Sequence, residues 1–258
     1  MKNYLLRITS LAVAACSVIT LASCKGKTND DSRTETPTYE KSVTSQTVKI
    51  VNIPTDPSEL ADMLNAAFNY VDEYCYKYKK DLTCEASVGS LGSLSSVSNA
   101  ADAFASMFGE KSITADYDYQ ADKKLFADNF VKGPIESGKI SSISAKQEGD
   151  IVILTANLNG ETDPTEENGI LHNLGGDYVS ADSVKASLAE FKSSASSVSV
   201  SADGISIVAR ISAEDSSLRS MTVTYTEHFN LSGVTLVKQK GGSVSGSAKT
   251  VIKYTDFG

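Results

Sequence analysis

VSVSADGISIVARI, residues 198–211, is the stretch that decides the fold class. Valine and isoleucine alternate with serine on both sides of Asp203-Gly204, a dipeptide suited to the positive φ values of a type I′ turn. The spacing predicts a β-hairpin in which residues 198–202 pair with residues 205–211. The same texture extends in both directions. Upstream, residues 140–147 and 150–158 flank a Glu148-Gly149 turn; downstream, residues 221–231, 234–239 and 244–257 read as strands divided by Ser232-Gly233 and Gly241-Gly242. Connections this short join antiparallel neighbours, because a parallel pair needs a crossover of a dozen residues or more. Residues 82–88 and 113–119 are also strand-like, the second with Tyr117 and Tyr119 on one side. Residues 43–53 read as one more strand, stopped by Pro54.

Helical periodicity begins at Asp56, which reads as an N-cap with Pro57 at the first helical position and Glu59 three residues after the cap. At about 100° per residue, Leu60, Met63, Leu64, Ala67, Phe68, Tyr70, Val71, Tyr74, Cys75 and Tyr78 share a face, opposite Asp62, Asn65, Asn69, Asp72, Glu73 and Lys80. This predicts an amphipathic helix of about six turns. Leu94, Val97, Ala101, Phe104 and Phe108 step by three and four before Gly109, predicting a second helix over 94–108. Shorter helices are predicted near 121–131 and over 181–191, the latter with Val184, Leu188 and Phe191 inward. The fold class is therefore α+β, a mostly antiparallel sheet packed against amphipathic helices.

The N-terminus carries an address. Lys2 and Arg7 flank the start of an apolar run of about 14 residues, Ile8 to Leu21, the length of a signal h-region and too short to span about 30 Å of hydrocarbon. Leu21-Ala22-Ser23-Cys24 follows, with a polar run after it, and resembles the lipobox of bacterial lipoproteins. That resemblance implies cleavage before Cys24, acylation of Cys24, and a folded domain outside the cytoplasm on a membrane surface. Val13-Ala14-Ala15-Cys16 also fits the pattern. Cutting there would shorten the h-region and leave apolar Val18-Ile19-Thr20-Leu21 on the mature chain, so Cys24 is preferred. The expected division is 1–23 signal peptide, 24–45 flexible tether too polar to form a core, and 46–258 extracytoplasmic α+β domain.

Order and texture of the mature chain are similar to the LppX/LprG-type lipoproteins and their LolA-like relatives. The similarity rests on lipobox, tether, long amphipathic helix, a helix inserted before Asp203-Gly204, and a final strand ending in Tyr254-Thr255-Asp256-Phe257-Gly258. It implies a strongly curved sheet around an apolar cavity for lipid. The loop over residues 165–176 departs from that pattern.

Composition narrows the partners. Lys2 and Arg7 leave with the signal, so 22 basic residues face 32 acidic ones in the mature chain, a net charge of -10. Nucleic acid and anionic headgroups, which need clustered Lys and Arg, are disfavoured. No cofactor or metal is expected. His172, in a polar loop, and His228, in a strand, have no Cys, Asp or Glu at metal-ligand spacing. Residues 133–139, GPIESGK, match most of a phosphate loop, but Ile140 replaces the Mg²⁺-binding hydroxyl and a strand follows where a helix is needed. Asp116, Asp118, Gln120 and Asp122 alternate like a calcium loop, yet Ala121 replaces its glycine and Ala127 its closing Glu. The acidic loop at 163–169 reads likewise as solvated surface. Tyr70, Tyr74 and Tyr78 admit a sugar or lipid site, but a packing stripe is the default for aromatics at helical spacing, and the absence of tryptophan weakens the sugar reading. Cys75 and Cys84 admit two states, a bridge permitted by an oxidising exterior or two buried free thiols.

No catalytic constellation emerges, and no enzyme is expected. The first expectation is a non-enzymatic membrane-anchored lipoprotein that binds or carries an apolar or amphiphilic ligand. The alternative is a surface display or adhesion module with a packed interior.

Overall fold

In the computed structural model, the residues described are 52–258, apart from 165–168, 191–192, 237–238 and 241. The predicted signal peptide and tether, with Cys16 and Cys24, lie outside them, as do residues 43–51 of the strand expected before Pro54. In chain order the elements are α1 (Pro57–Tyr74), β1 (Lys77–Ser90), α2 (Ala100–Met107), β2 (Lys111–Asp118), α3 (Lys123–Asp128), β3 (Ile140–Glu148), β4 (Ile151–Leu158), β5 (Glu161–Thr162), α4 (Ile170–Asn173), α5 (Ala181–Glu190), β6 (Ser197–Ser212), β7 (Leu218–Ser232), β8 (Thr235–Leu236), β9 (Gln239–Lys240) and β10 (Val244–Thr255).

Eight strands form one sheet in the order β2-β1-β10-β7-β6-β4-β3, with β5 beside β6, and every pair is antiparallel. The mostly antiparallel α+β expectation holds. The sheet is neither closed nor strongly curled, so the expected strong curvature finds no support.

The Asp203-Gly204 hairpin is corrected. Both arms belong to the single strand β6, which pairs with β7 along its length. Register passes from Asp203↔Thr226 to Ser206↔Thr224, so two residues of β6 oppose one of β7. Gly204 has φ +59, the left-handed value that a bulge of this kind assigns to glycine. An extra residue shifts the inward parity: Val200 and Ala202 are buried before the bulge, Ile205, Ile207, Ala209 and Ile211 after it. The parity break that looked like a turn keeps both halves facing the core.

The first helix is also corrected. It stops at Tyr74, with Cys75 extended at φ -94, ψ 137. The chain then becomes β1, because Tyr78, Lys80, Leu82 and Cys84 alternate inward between two long partners, β2 and β10. Tyr78 anchors that choice: its ring stacks on Tyr117 at 5.0 Å and meets Phe126 edge-on at 4.8 Å, and its hydroxyl donates to the Phe126 carbonyl at 2.7 Å. A second helix over 94–108 is likewise shortened to a 3-10 turn, Gly92–Ser96, and α2, split where Asn99 takes φ 62. The 234–239 strand reduces to β8 within the small β8-β9 pair.

All helices serve one face. Leu64, Phe68, Val71, Phe104, Val184 and Leu188 join the inward residues of β1, β10, β7, β6 and β4 in one continuous core. Phe108 stacks on Phe229 with centroids 4.3 Å apart and planes 1° from parallel. On the opposite face, Thr83, Glu85, Thr222, Thr224, Thr226, Lys249 and Lys253 are exposed or half-buried. Among the described residues the result is two layers, with all helices on one sheet face.

Candidate functional site

Two features stand out, one on the inner face of the sheet and one on the open face. The first is a strap, residues 174–179, buried at Leu174 and Gly175 and exposed at Asp177. A loop inside a protein must have its backbone groups satisfied, and here the sheet does it with side chains. Tyr254 donates its hydroxyl to the Leu174 carbonyl (3.2 Å), Lys80 its ammonium to the Gly175 carbonyl (2.8 Å), and Tyr225 its hydroxyl to the Asp177 carbonyl (3.1 Å). At the far end the Val179 amide donates to Glu227 Oε1 at 2.8 Å. Lys80 makes a second bond to the Asn129 carbonyl at 3.2 Å and lies 5.5 Å from the Tyr254 ring centre. Lys111 pairs with Asp177 at the rim.

Burial dominates the electrostatics. It lowers Lys80 to about 8, with nearby Asp177 opposing the shift. It raises Glu227 to about 8, against the Val179 amide, which favours the carboxylate. Glu227 is 1 % exposed, and its Oε2 has no hydrogen-bond partner. A protonated acid is the form such a site holds at neutral pH, since an unpaired buried carboxylate is far costlier.

The second feature is a depression of about 270 Å³ on the open face, spanning β1, β10 and β7. Ser87, Ser247 and His228 form one cross-strand row, and Ser245 and Asn230 the next. Gly89 is the extra residue where the β1-β10 register shifts between Val88 and Ser90, and a Cβ on it would stand 3.5 Å from Ser245 Oγ. His228 Nε2 lies 3.2 Å from Oδ2 of Asp203, at the start of the β6 bulge. Bulges thus border the depression on both sides, a placement that re-aims side chains at binding sites.

The other residues singled out from sequence have local explanations. Asp118 Oδ1 accepts from the Gln120 and Ala121 amides (2.8 and 3.3 Å), and Asp122 Oδ1 caps α3 through Leu125 (2.9 Å). Asp116 stays on the outer row of β2. Residues 133–139 lead into β3 through a 3-10 turn. His172 lies in the one-turn helix α4, its ring 6.3 Å from Tyr178, and not in a loop. Tyr78 does not share a stripe with Tyr70 and Tyr74, whose rings are 5.2 Å apart. Cys75 caps α1 and Cys84 sits well along β1; both are buried free thiols, and burial pushes both pKa values up. Among the described residues no group of three or more His, Cys, Asp or Glu could hold a metal ion, and no helix is long and apolar enough to cross a membrane.

Comparison with known protein families, with curated proteins and with solved structures finds no match. The site must be read from its own chemistry.

Proposed function

We propose that this chain is a non-enzymatic, lipid-anchored extracytoplasmic module that meets its partner through the open face of the sheet. The observation that carries the reading is the contrast between the two faces. The inner one is filled by Tyr78, Tyr225, Tyr254, Phe104, Phe108 and Phe229, all fully buried, while the outer one carries mostly polar, exposed or half-buried side chains across β1, β10, β7 and β6. Address and anchor come from the Cys24 lipobox.

A second reading, carriage of an apolar or amphiphilic ligand, draws on a groove of about 520 Å³ between the first turn of α1 and β3, lined in part by Pro57, Ala61, Ile140 and Ile143. Organic extraction of the purified full-length protein separates the two. Apart from the chains bound at Cys24, the open-face reading expects no stoichiometric lipid; one lipid per protein would replace it with the carrier reading.

The anchor has its own test. Cys24→Ser should lose metabolic palmitate label and membrane attachment, because stable anchoring needs more than one acyl chain, at about 0.8 kcal/mol per buried methylene. Label kept in Cys24→Ser and lost in Cys16→Ser would move the mature terminus to Cys16.

A further inference from the structure

We infer that the depression formed by Ser87, Gly89, His228, Asn230, Ser245 and Ser247 is a binding site for a neutral polyhydroxylated ligand, a glycan. The inference rests on the open-face reading and names the class of partner that face takes.

The lining chemistry selects the class. Apart from the imidazole of His228, every side chain lining the depression is a hydroxyl, a carboxamide or a glycine hydrogen. Asp203 at the border already lies 3.2 Å from His228 Nε2, so a charged ligand would find no uncommitted opposite charge among the lining side chains, and desolvating it unpaired is costly. An apolar ligand would cover polar groups without satisfying them. A polyol supplies both donors and acceptors, matching hydroxyls and a carboxamide that can each play either part.

These groups are also free to bind. Among the described residues the hydroxyls of Ser87, Ser245 and Ser247 and the carboxamide of Asn230 have no protein partner; Asn230 uses only its backbone carbonyl, toward Ser199 Oγ at 3.5 Å. Some strand hydroxyls are instead spent on a neighbour, as Ser197 and Ser232 show at 2.6 Å. Their positions are fixed by the sheet, with neighbours within a row about 4.8 Å apart on adjacent strands. Elements this rigid hold polar groups ready for a ligand with little ordering cost. Gly89 completes the arrangement, since any side chain there would cover Ser245.

The test uses the full-length lipidated protein in a zwitterionic, sugar-free detergent. Probes are neutral gluco-, manno-, galacto- and xylo-oligosaccharides, with acidic oligogalacturonates as the contrasting arm, read by saturation-transfer NMR and calorimetry. At least one neutral series should bind. Asn230→Ala should weaken it roughly tenfold, the effect of losing one or two hydrogen bonds. Gly89→Val should abolish binding by filling the depression, and Ser144→Ala, on the edge strand β3, should leave it unchanged. Unaltered thermal midpoints for Asn230→Ala exclude unfolding as the cause. Binding of acidic probes alone, no binding of any probe, or binding that survives both site variants overturns the inference. The open-face reading fails separately, through stoichiometric co-purifying lipid.

Discussion

Gly175→Ala and Gly176→Ala should each cost roughly 3 kcal/mol or more of folding stability, the range of severe overpacking against a core that cannot yield. A Cβ on Gly175 would stand 2.7 Å from the Phe130 carbonyl oxygen and 3.0 Å from the Tyr254 hydroxyl, and its φ of +63 already disfavours any side chain. On Gly176 it would stand 2.7 Å from the Leu171 carbonyl oxygen. These neighbours are mostly backbone, so neither site can relax without moving the strap away from the sheet. That movement would free Lys80 from its bond to Gly175, and slow amine-labelling at Lys80 should become fast in whatever folded fraction survives. Gly138→Ala is the control, with nothing within 4 Å of its Cβ and no positive φ. It should be neutral or gain about 0.4–1 kcal/mol through the unfolded chain. Thermal midpoints for Gly175→Ala within a few degrees of the parent would show that the strap is not a rigid element.

The contrast between these glycines shows what the sequence discloses. Alternation in β3, β4, β7 and β10 was legible because each strand turns one face toward the core, and a period of two survives in the residue order. The start of α1 was legible from Asp56 and Pro57, whose local chemistry needs no tertiary partner; Asp56 Oδ1 does accept the Ser58 amide at 2.8 Å. Its end was not. Tyr74, Cys75 and Tyr78 continue a helical face on paper, and only pairing with β2 and β10 far along the chain pulls Tyr78 into a strand. Asp203-Gly204 failed for a related reason, because a bulge and a hairpin both ask for positive φ at glycine, and the partner strand decides between them. The depression was invisible to local reading. Ser87, His228, Asn230, Ser245 and Ser247 come from three strands whose adjacency, β1-β10-β7, no short spacing reveals. The strap was hidden likewise: Lys80 and Glu227 look like ordinary surface charges until the sheet places them under residues 174–179. Sequence reading placed Lys80 on the polar side of a helix, and the structure buries it.

Glu227 sets the second large expectation, a folding stability that falls steadily from about pH 4.5 to about pH 8. In the unfolded chain this carboxyl ionises near its ordinary value of 4.5, whereas burial holds it protonated to about 8 in the folded protein. Across that window the folded state carries the extra proton, so raising the pH favours unfolding. The stabilisation is complete below 4.5 and gone above about 8, on the order of several kcal/mol in all. Asp72, also raised by burial, adds in the same direction. Lys80 works oppositely. Its folded value of about 8 lies below the ordinary 10.5, so stability returns as pH climbs through that interval. Cys75 and Cys84, pushed above 9, and Tyr78, Tyr225 and Tyr254, pushed above 10, oppose the return, leaving a shallow recovery just above pH 8 at most. Glu227→Gln isolates the cause. Its carbonyl can still accept from the Val179 amide, and it has no charge to desolvate. Chemical denaturation should find it close to the parent at pH 5 and more stable than the parent at pH 8, so one substitution changes from neutral to stabilising with pH alone. Parallel curves for the two proteins between pH 5 and pH 8 would mean that Glu227 is ionised and solvated, and that the strap does not close over it.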